Sequence, residues 1–182
     1  CENALKFLTD KGAEIINIEI PHLEAIRVAH SVTIASEMRS AITPYYPSQK
    51  KQFGLDVRMN MALAEKFTSA DYVTAQRIRT RALKDFEKIF ETVDVVVSPT
   101  TGCTAPTIPE AALKNGISDV GQLMDIMRFA PIGNLLGLPG ISVPAGYVQG
   151  KPVGLQIMGR PWEESTLLRM ARVVESSMVK EK

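Results

Sequence analysis

Residues 128–161, RFAPIGNLLGLPGISVPAGYVQGKPVGLQIMGRP, decide how this sequence folds. Within them, residues 141–144 form a short β-branched run that ends at a proline, which cannot donate to a sheet ladder. Residues 153–158 are almost continuously apolar, as expected of a strand covered on both faces. The glycines and proline of residues 145–152 predict a connecting turn, and those of 134–140 predict tight backbone packing or positive φ. We therefore predict two strands in the middle of a sheet.

The rest of the chain alternates helical and strand patterns, which indicates an α/β domain. We predict a mixed or parallel, mostly buried sheet flanked by helices, in one domain spanning residues 1–182. The predicted strands are 13–20, 94–98, 140–144 and 153–158. The predicted helices are 2–10, 23–38, 56–67, 69–91, 120–129 and 163–178, with a further helical turn around 111–113 in a loop over 100–118. Thr68 and Asp71 have the spacing of a capping box at the start of the fourth helix.

Composition excludes several classes of protein. A net charge of +1 gives no reason to expect nucleic acid as a partner, and no apolar run approaches the ~20 residues that span a bilayer. Cys1 and Cys103 have no spacing that suggests a metal site or a disulfide framework, and they fit a reducing, intracellular compartment. Because the chain opens at Cys1 inside a helical pattern, we expect it to be a fragment.

Several stretches together resemble the amidase signature family. NLLGLPGISVP (134–144) and GLQIMG (154–159) resemble the C-terminal half of those enzymes, and Asp71, Tyr72, Ala75, Arg79 and VDVVVSPTT (93–101) follow the order that the family uses. Within the family, TTGCTAP (100–106), ALKNG (112–116) and GRPW (159–162) are most similar to the plant-type fatty acid amide hydrolases. The resemblance covers about residues 53–174 and implies part of the amidase signature fold.

The resemblance also implies where the chemistry lies. Amidase signature enzymes use a serine nucleophile, a second serine joined through a cis peptide, and a lysine, all in their N-terminal half. This sequence contains no Gly-Ser-Ser segment of that kind, so no catalytic role is assigned to any residue here, and no metal or cofactor is implied. By position, four apolar residues resemble the acyl-channel lining of the plant-type enzymes: Ile34, Leu63, Ala64 and Phe67. They are equally well read as ordinary core residues.

No other motif predicts catalysis. Ser48 and Lys51 match the S-x-x-K spacing, but they lie in a polar, proline-flanked loop without the partner motifs. His30 falls on an apolar helix face, where a core histidine is the more common outcome, and His22 follows a proline at a helix start. Cys103 has no basic neighbour in sequence that would stabilise a thiolate. The hydroxyls of residues 98–101 suit either a ligand or their own loop backbone, and the basic residues 77–84 are expected to form a solvated helix face.

Three functions of different classes follow. The first is the C-terminal part of an amidase that hydrolyses N-acylethanolamines or other fatty acid amides. The second is the glutamine-hydrolysing subunit of a tRNA-dependent amidotransferase, which would favour a polar pocket with a charged anchor. The third is a non-catalytic truncated module. For the first, we expect a small-molecule fatty acid amide as partner, leave a homodimer open, and expect any peripheral membrane contact to come from the missing half.

Overall fold

The structure, a computed structural model, describes residues 1–117 and 119–178. The parts of the predicted loop and domain that fall on Ser118 and on residues 179–182 lie outside this range. Within it the helices are α1 (Glu2–Asp10), α2 (Leu23–Ile42), α3 (Tyr46–Gln49), α4 (Leu55–Ala64), α5 (Ser69–Thr92), α6 (Ala112–Asn115), α7 (Val120–Ile126), α8 (Ala130–Leu136) and α9 (Glu164–Met178), with a short 3-10 helix over Lys50–Gln52. The strands are β1 (Val95–Pro99), β2 (Gly140–Val148) and β3 (Lys151–Gly159).

The three strands form one sheet in the order β1-β3-β2, and both pairings are antiparallel. β2 and β3 are a hairpin joined by Gln149 and Gly150, which both have positive φ, as a tight two-residue hairpin turn requires. The expected turn over 145–152 is therefore too long, because both strands continue to that two-residue turn. No parallel pair is part of the described sheet, so the expectation of a mixed or parallel sheet is not met there. A two-residue connection can join only antiparallel strands.

Helices cover both faces of the sheet, as the α/β interpretation predicts. On one face α2, α5 and α8 pack around Phe86, Ile132 and Met158. On the other face α1 and α9 pack around Leu155, Ile157 and Val174. The central strand β3 thus contributes to both cores, which explains why its sequence is almost continuously apolar.

Helix boundaries follow local chemistry. The Thr68 hydroxyl accepts from the Asp71 backbone N–H, and the Asp71 carboxylate accepts from the Thr68 backbone N–H, so the predicted capping box starts α5. α8 was not expected, yet Pro131 stands in its first turn and Gly137 ends it with φ of 70°. Its seven residues are too few for a helical period to be visible in the sequence.

The clearest departure from the prediction is residues 13–20. They form no strand or helix, although their sequence has the β-branched character of one. The only backbone–backbone hydrogen bond they make to a described residue runs from the Ala13 N–H to the Leu8 carbonyl. A strand is defined by its partner, and the described part of the chain supplies none here. No helix in the described ranges is both long and apolar enough to cross a membrane.

Candidate functional site

The four predicted acyl-channel residues do not form one group. Ala64 is buried, Phe67 is half-buried, and both line a cavity of about 390 Å³ between α2, the end of α4 and the start of α5. Ile34 and Leu63 are 53% and 47% exposed, and neither lines this cavity. The structure therefore brings two of the four residues together.

Helix geometry explains the separation. α4 ends at Ala64 rather than at residue 67, so Phe67 lies in the connection to α5 and not on the helix face expected for it. Leu63 and Ala64 are successive helical residues, which point about 100° apart. On α2, four-residue steps from the buried Ile26 and His30 rotate around the axis, so that Ile34 has left the buried stripe. Leu63, Ala64 and Phe67 all fall in the predicted helix 56–67, but the observed α4 does not place the three on one face.

The cavity has a polar half that the sequence analysis did not foresee. Arg39 of α2 is half-buried in its wall, and its guanidinium forms no ion pair or hydrogen bond with any described residue. The remaining polar lining consists of hydroxyls on α2, on α5 and between them: Ser36, Ser40, Thr43, Thr68, Ser69 and Tyr72. Ala64, Phe67 and Val73 supply the apolar part. The cavity can thus take an amphipathic ligand, with an apolar contact opposite a cation.

A second polar group lies at neighbouring positions of the three strands, where Ser98, Gln156 and Ser142 are cross-strand partners. Thr100 Oγ1 and Ser142 Oγ are 2.6 Å apart, and Gln156 Nε2 donates to Ser98 Oγ at 3.4 Å. A Cβ at Gly154 would lie 2.6 Å from Thr100 Oγ1 and 2.7 Å from Ser142 Oγ, so glycine makes room for this pair. Ser98 Oγ donates to the Pro99 carbonyl and Thr101 Oγ1 donates to the Cys103 carbonyl, as the loop-backbone interpretation expects. The Thr100 hydroxyl instead bonds to Ser142 on β2. The sequence does carry a signal that could have identified Ser142 and Gln156, because each is a polar residue in an otherwise apolar strand.

The remaining candidates have no catalytic surroundings. Ser48 lies in the short exposed helix α3, where a loop was predicted, and its hydroxyl donates to the Tyr45 carbonyl. His30 is 8% exposed, and burial lowers its pKa, which keeps the imidazole neutral. His22 is exposed at the start of α2, and Cys103 is an exposed free thiol. Among the residues that the structure describes, no hydroxyl or thiol bonds to a lysine or imidazole, and no cluster of side chains could hold a metal ion.

Comparison with known proteins identifies the family. The amidase family model matches residues 1–168, so this chain belongs to the amidase family. It is 48% identical over 178 residues to the fatty acid amide hydrolase of Medicago truncatula, a match that covers 96% of this chain and 29% of that protein. It is 32% identical to a glutamyl-tRNA(Gln) amidotransferase component of Brucella canis, over 97% of this chain and 40% of that protein.

The fold agrees with this assignment. The structure superposes on the S177A allophanate hydrolase of Kluyveromyces lactis with a TM-score of 0.80 and 22% identity, over 96% of this chain and 28% of that one. Identity at this level supports the fold alone. The chain spans less than a third of the length of the plant fatty acid amide hydrolases it matches.

Proposed function

We propose that this chain is the C-terminal part of an amidase that hydrolyses N-acylethanolamines or other fatty acid amides. The observation that carries the proposal is the identity of 46–48% with plant fatty acid amide hydrolases over nearly the whole chain, against 32% with the amidotransferase relatives. In this proposal the serine nucleophile belongs to polypeptide outside the present sequence. In the same proposal the chain supplies the C-terminal part of the fold and a wall of the substrate pocket.

The cavity beside Ala64 supports a role in acyl binding. Ala64, Phe67 and Val73 supply the apolar part of its lining. Ile34 and Leu63 are large apolar side chains that stay about half exposed, so they are free to contact an acyl chain or the rest of an amidase. They remain part of the proposed channel as a prediction.

A chimaera tests the proposed activity. In it, this chain replaces the matching 29% of the Medicago truncatula protein. We expect the chimaera to hydrolyse oleoylethanolamide and the isolated chain to show no hydrolysis above buffer, because none of the described side chains is an activated nucleophile. Hydrolysis by the isolated chain, or a chimaera that folds but acts only on short polar amides, would contradict the proposal.

Ala64→Phe tests the acyl contact. In the chimaera the added ring would occupy the cavity, and blocking two or three methylenes at ~0.8 kcal/mol each would cost a long chain ~2 kcal/mol of binding. We expect kcat/KM for a long-chain amide to fall by about tenfold or more relative to a short-chain amide. Ala62→Phe is the matched control, because Ala62 is an exposed residue of the same helix. Equal losses of kcat/KM for both chain lengths would show that Ala64 only packs in the core and does not contact the acyl chain.

Arg39 supports a second function, the hydrolysis of glutamine. A half-buried guanidinium without an ionic partner among the described residues is a suitable anchor for the α-carboxylate of an amino acid. If glutamine is the substrate, Arg39→Met should raise its KM at least tenfold, whereas Arg39→Lys, which keeps the charge, should raise it less. Under the fatty acid amide proposal, turnover of the neutral oleoylethanolamide should exceed that of glutamine and change little in either variant.

We also propose an intracellular setting, either cytoplasmic or peripheral on internal membranes. The free thiols of Cys1 and Cys103 support it, since unpaired cysteines are common in reducing compartments. Fractionation of cells that express the tagged chimaera, with detection in soluble and membrane pellets, would test the location.

A further inference from the structure

The cavity beside Ala64 contains a cation that lacks an anionic partner. Arg39 is half-buried in the cavity wall, and the ion pairs of the described chain are made by Arg27 and Arg160 instead. Among the described residues that line the cavity, Arg39 is the only charged one. Because Arg39 is only partly exposed, an anion bound beside it would be attracted through a lower effective dielectric than at an exposed arginine.

The hydroxyl groups of the lining differ in how their protons are used. The hydroxyls of Ser40, which follows Arg39 on α2, and of Ser69, which begins α5, donate to no described residue. The other four already donate to protein acceptors: Ser36, Thr43, Thr68 and Tyr72. The side-chain donors left for a ligand are therefore one guanidinium and two hydroxyls. This set suits a carboxylate, which only accepts hydrogen bonds and matches the forked geometry of a guanidinium.

The same cavity offers an apolar surface to a hydrocarbon chain. Ala64, Phe67 and Val73 lie in the lining together with Arg39. The volume of about 390 Å³ falls within the range of ~300–1,000 Å³ that is usual for small-molecule sites. A ligand that fits both parts of the lining carries an anionic group at the end of a hydrocarbon chain.

From this geometry we propose that the cavity binds a long-chain fatty acid, with its carboxylate on Arg39 and its chain against Ala64, Phe67 and Val73. The inference rests on the proposed function for the source of the acid. Hydrolysis of a fatty acid amide adds water across the C–N bond, so that the acyl carbon takes the hydroxyl and the nitrogen takes the proton. The acid is ionised near neutral pH, since carboxyl groups titrate near pH ~4, whereas the amide substrate is neutral.

The consequence for the enzyme is inhibition by its own acid product. The acid and the amide would both occupy the apolar part of the cavity, so that one excludes the other. Only the acid carries a charge that pairs with Arg39, and a charge-assisted hydrogen bond of this kind tightens binding by roughly tenfold or more. Hydrolysis should therefore slow as the acid accumulates.

Two other anionic ligands fit the lining less well. A free amino acid would bring an ammonium group, and no carboxylate among the described lining residues could pair with it. Its short side chain would also leave most of the apolar surface uncovered. A lipid phosphate would share the anion and the chain, but it carries up to two negative charges against the single guanidinium of Arg39. A carboxylate on a long chain matches both the charge and the apolar surface.

Inhibition of the chimaera by oleate tests the proposal. Initial rates of oleoylethanolamide hydrolysis are measured with added oleate or with oleyl alcohol, which has the same chain and no charge. We expect oleate to inhibit competitively, with an inhibition constant about tenfold or more below that of oleyl alcohol. Arg39→Met should raise the inhibition constant of oleate about tenfold or more and leave that of the alcohol nearly unchanged, whereas Arg39→Lys should raise it less. Arg77→Met is the matched control, because Arg77 is an exposed residue of α5 outside the cavity lining, and it should leave both constants unchanged.

Two results would overturn the proposal. The first is an inhibition constant of oleate that is the same with and without Arg39, as a detergent-like effect would produce. The second is inhibition by glutamine or acetate that equals that by oleate and is lost in Arg39→Met, which would make the cavity an anchor for short carboxylates. Melting temperatures show whether each variant is folded, and Arg39→Gln replaces Arg39→Met if the latter is not.

Failure of the proposed function is distinguishable from failure of this inference. A folded chimaera that does not hydrolyse oleoylethanolamide would contradict the proposed function alone. In that case the affinities of the chimaera and of its Arg39→Met variant for oleate and for oleyl alcohol are measured by isothermal titration calorimetry. Tighter binding of oleate that depends on Arg39 would support the fatty acid site, and equal affinities for the two ligands would overturn it.

Discussion

α5 and residues 13–20 are both segments whose sequence predicts regular structure, and only α5 forms it. α5 runs over Ser69–Thr92, within a residue of the predicted range, and begins with its own capping box. Residues 13–20 keep a strand-like sequence and pair with nothing described. The two segments differ in where their backbone hydrogen-bonding partners lie. A helix forms its hydrogen bonds between residues four apart, whereas a strand needs a partner strand from another part of the chain.

The two segments also differ in how much they contribute to the stability of the isolated chain. α5 buries Phe86 and Phe90 in a packed core whose other members come from the same chain. Ile15 and Ile16 stay about half exposed, at 44% and 47%. Substitutions in the two segments should therefore differ in the isolated chain, and the following predictions test that difference from the largest effect to the smallest.

Phe86→Ala should have the largest effect. Phe86 is 1% exposed, and its truncation leaves a core cavity, so we expect the free energy of unfolding of the isolated chain to fall by about 3–5 kcal/mol. Ile16→Ala should change it by less than about 0.5 kcal/mol, because the side chain is about half exposed and is not part of either core cluster. Urea denaturation followed by circular dichroism measures both. Comparable losses would mean that residues 13–20 are already packed in the isolated chain.

Gly154→Ala should have an intermediate effect, and it tests whether the strands that do pair depend on close approach. The new Cβ would lie under 3 Å from the hydroxyls of Thr100 and Ser142, and we expect a loss of about 1–3 kcal/mol from the strain. Gly133→Ala is the matched control, since its Cβ would meet Met158 Sδ at an ordinary 3.5 Å and alanine favours the helix. The melting temperatures of the two variants, compared with that of the original chain, measure both effects. An equal melting temperature for Gly154→Ala would show that the hydroxyl pair moves aside freely.

Thr68→Ala should have a smaller effect than Phe86→Ala or Gly154→Ala, and it tests the local character of α5. Removing the hydroxyl abolishes the cap, for which we expect a loss of about 1 kcal/mol. Thr68→Ser keeps the hydroxyl and should lose less. If the helix start is local, the loss should be the same in the isolated chain and in the chimaera.

The same cap predicts a pH dependence. Hydrogen bonds from the Thr68 hydroxyl and backbone N–H lower the pKa of Asp71 below its usual value. A lowered pKa in the folded state means that the contribution is present above the unfolded pKa and is lost as pH falls through the folded pKa. The difference in stability between Thr68→Ala and the original chain should therefore shrink in acid, as urea titrations at several pH values would show. A difference that stays constant down to the acid limit would exclude the carboxylate from the cap.

The proposed substrate site shows which features of a site can be predicted from the sequence and which cannot. The resemblance singled out Ala64 by position, as a channel-lining or core residue of a predicted helix, and Ala64 is buried. The sequence pattern did not show that α4 ends at Ala64. It also did not show that Phe67, in the connection after α4, lines the same cavity as Ala64, or that Arg39 of α2 lines that cavity too. Those relations join residues far apart in the sequence through the packing of three helices, and no local period encodes such packing.

Sequence by itself determined the elements that complete their hydrogen bonds locally, namely the extents of α1, α5 and α9 and the capping box of α5, together with the apolar central strand and the amidase resemblance. Tertiary structure alone decided which residues share a cavity, that Gly154 admits the Thr100–Ser142 pair, and that residues 13–20 stay unpaired beside the free edge of β1. The physical reason is the range of the interactions. Propensity and capping act over a few residues and are written in order along the chain, whereas strand pairing and cavity lining depend on groups that only folding brings together.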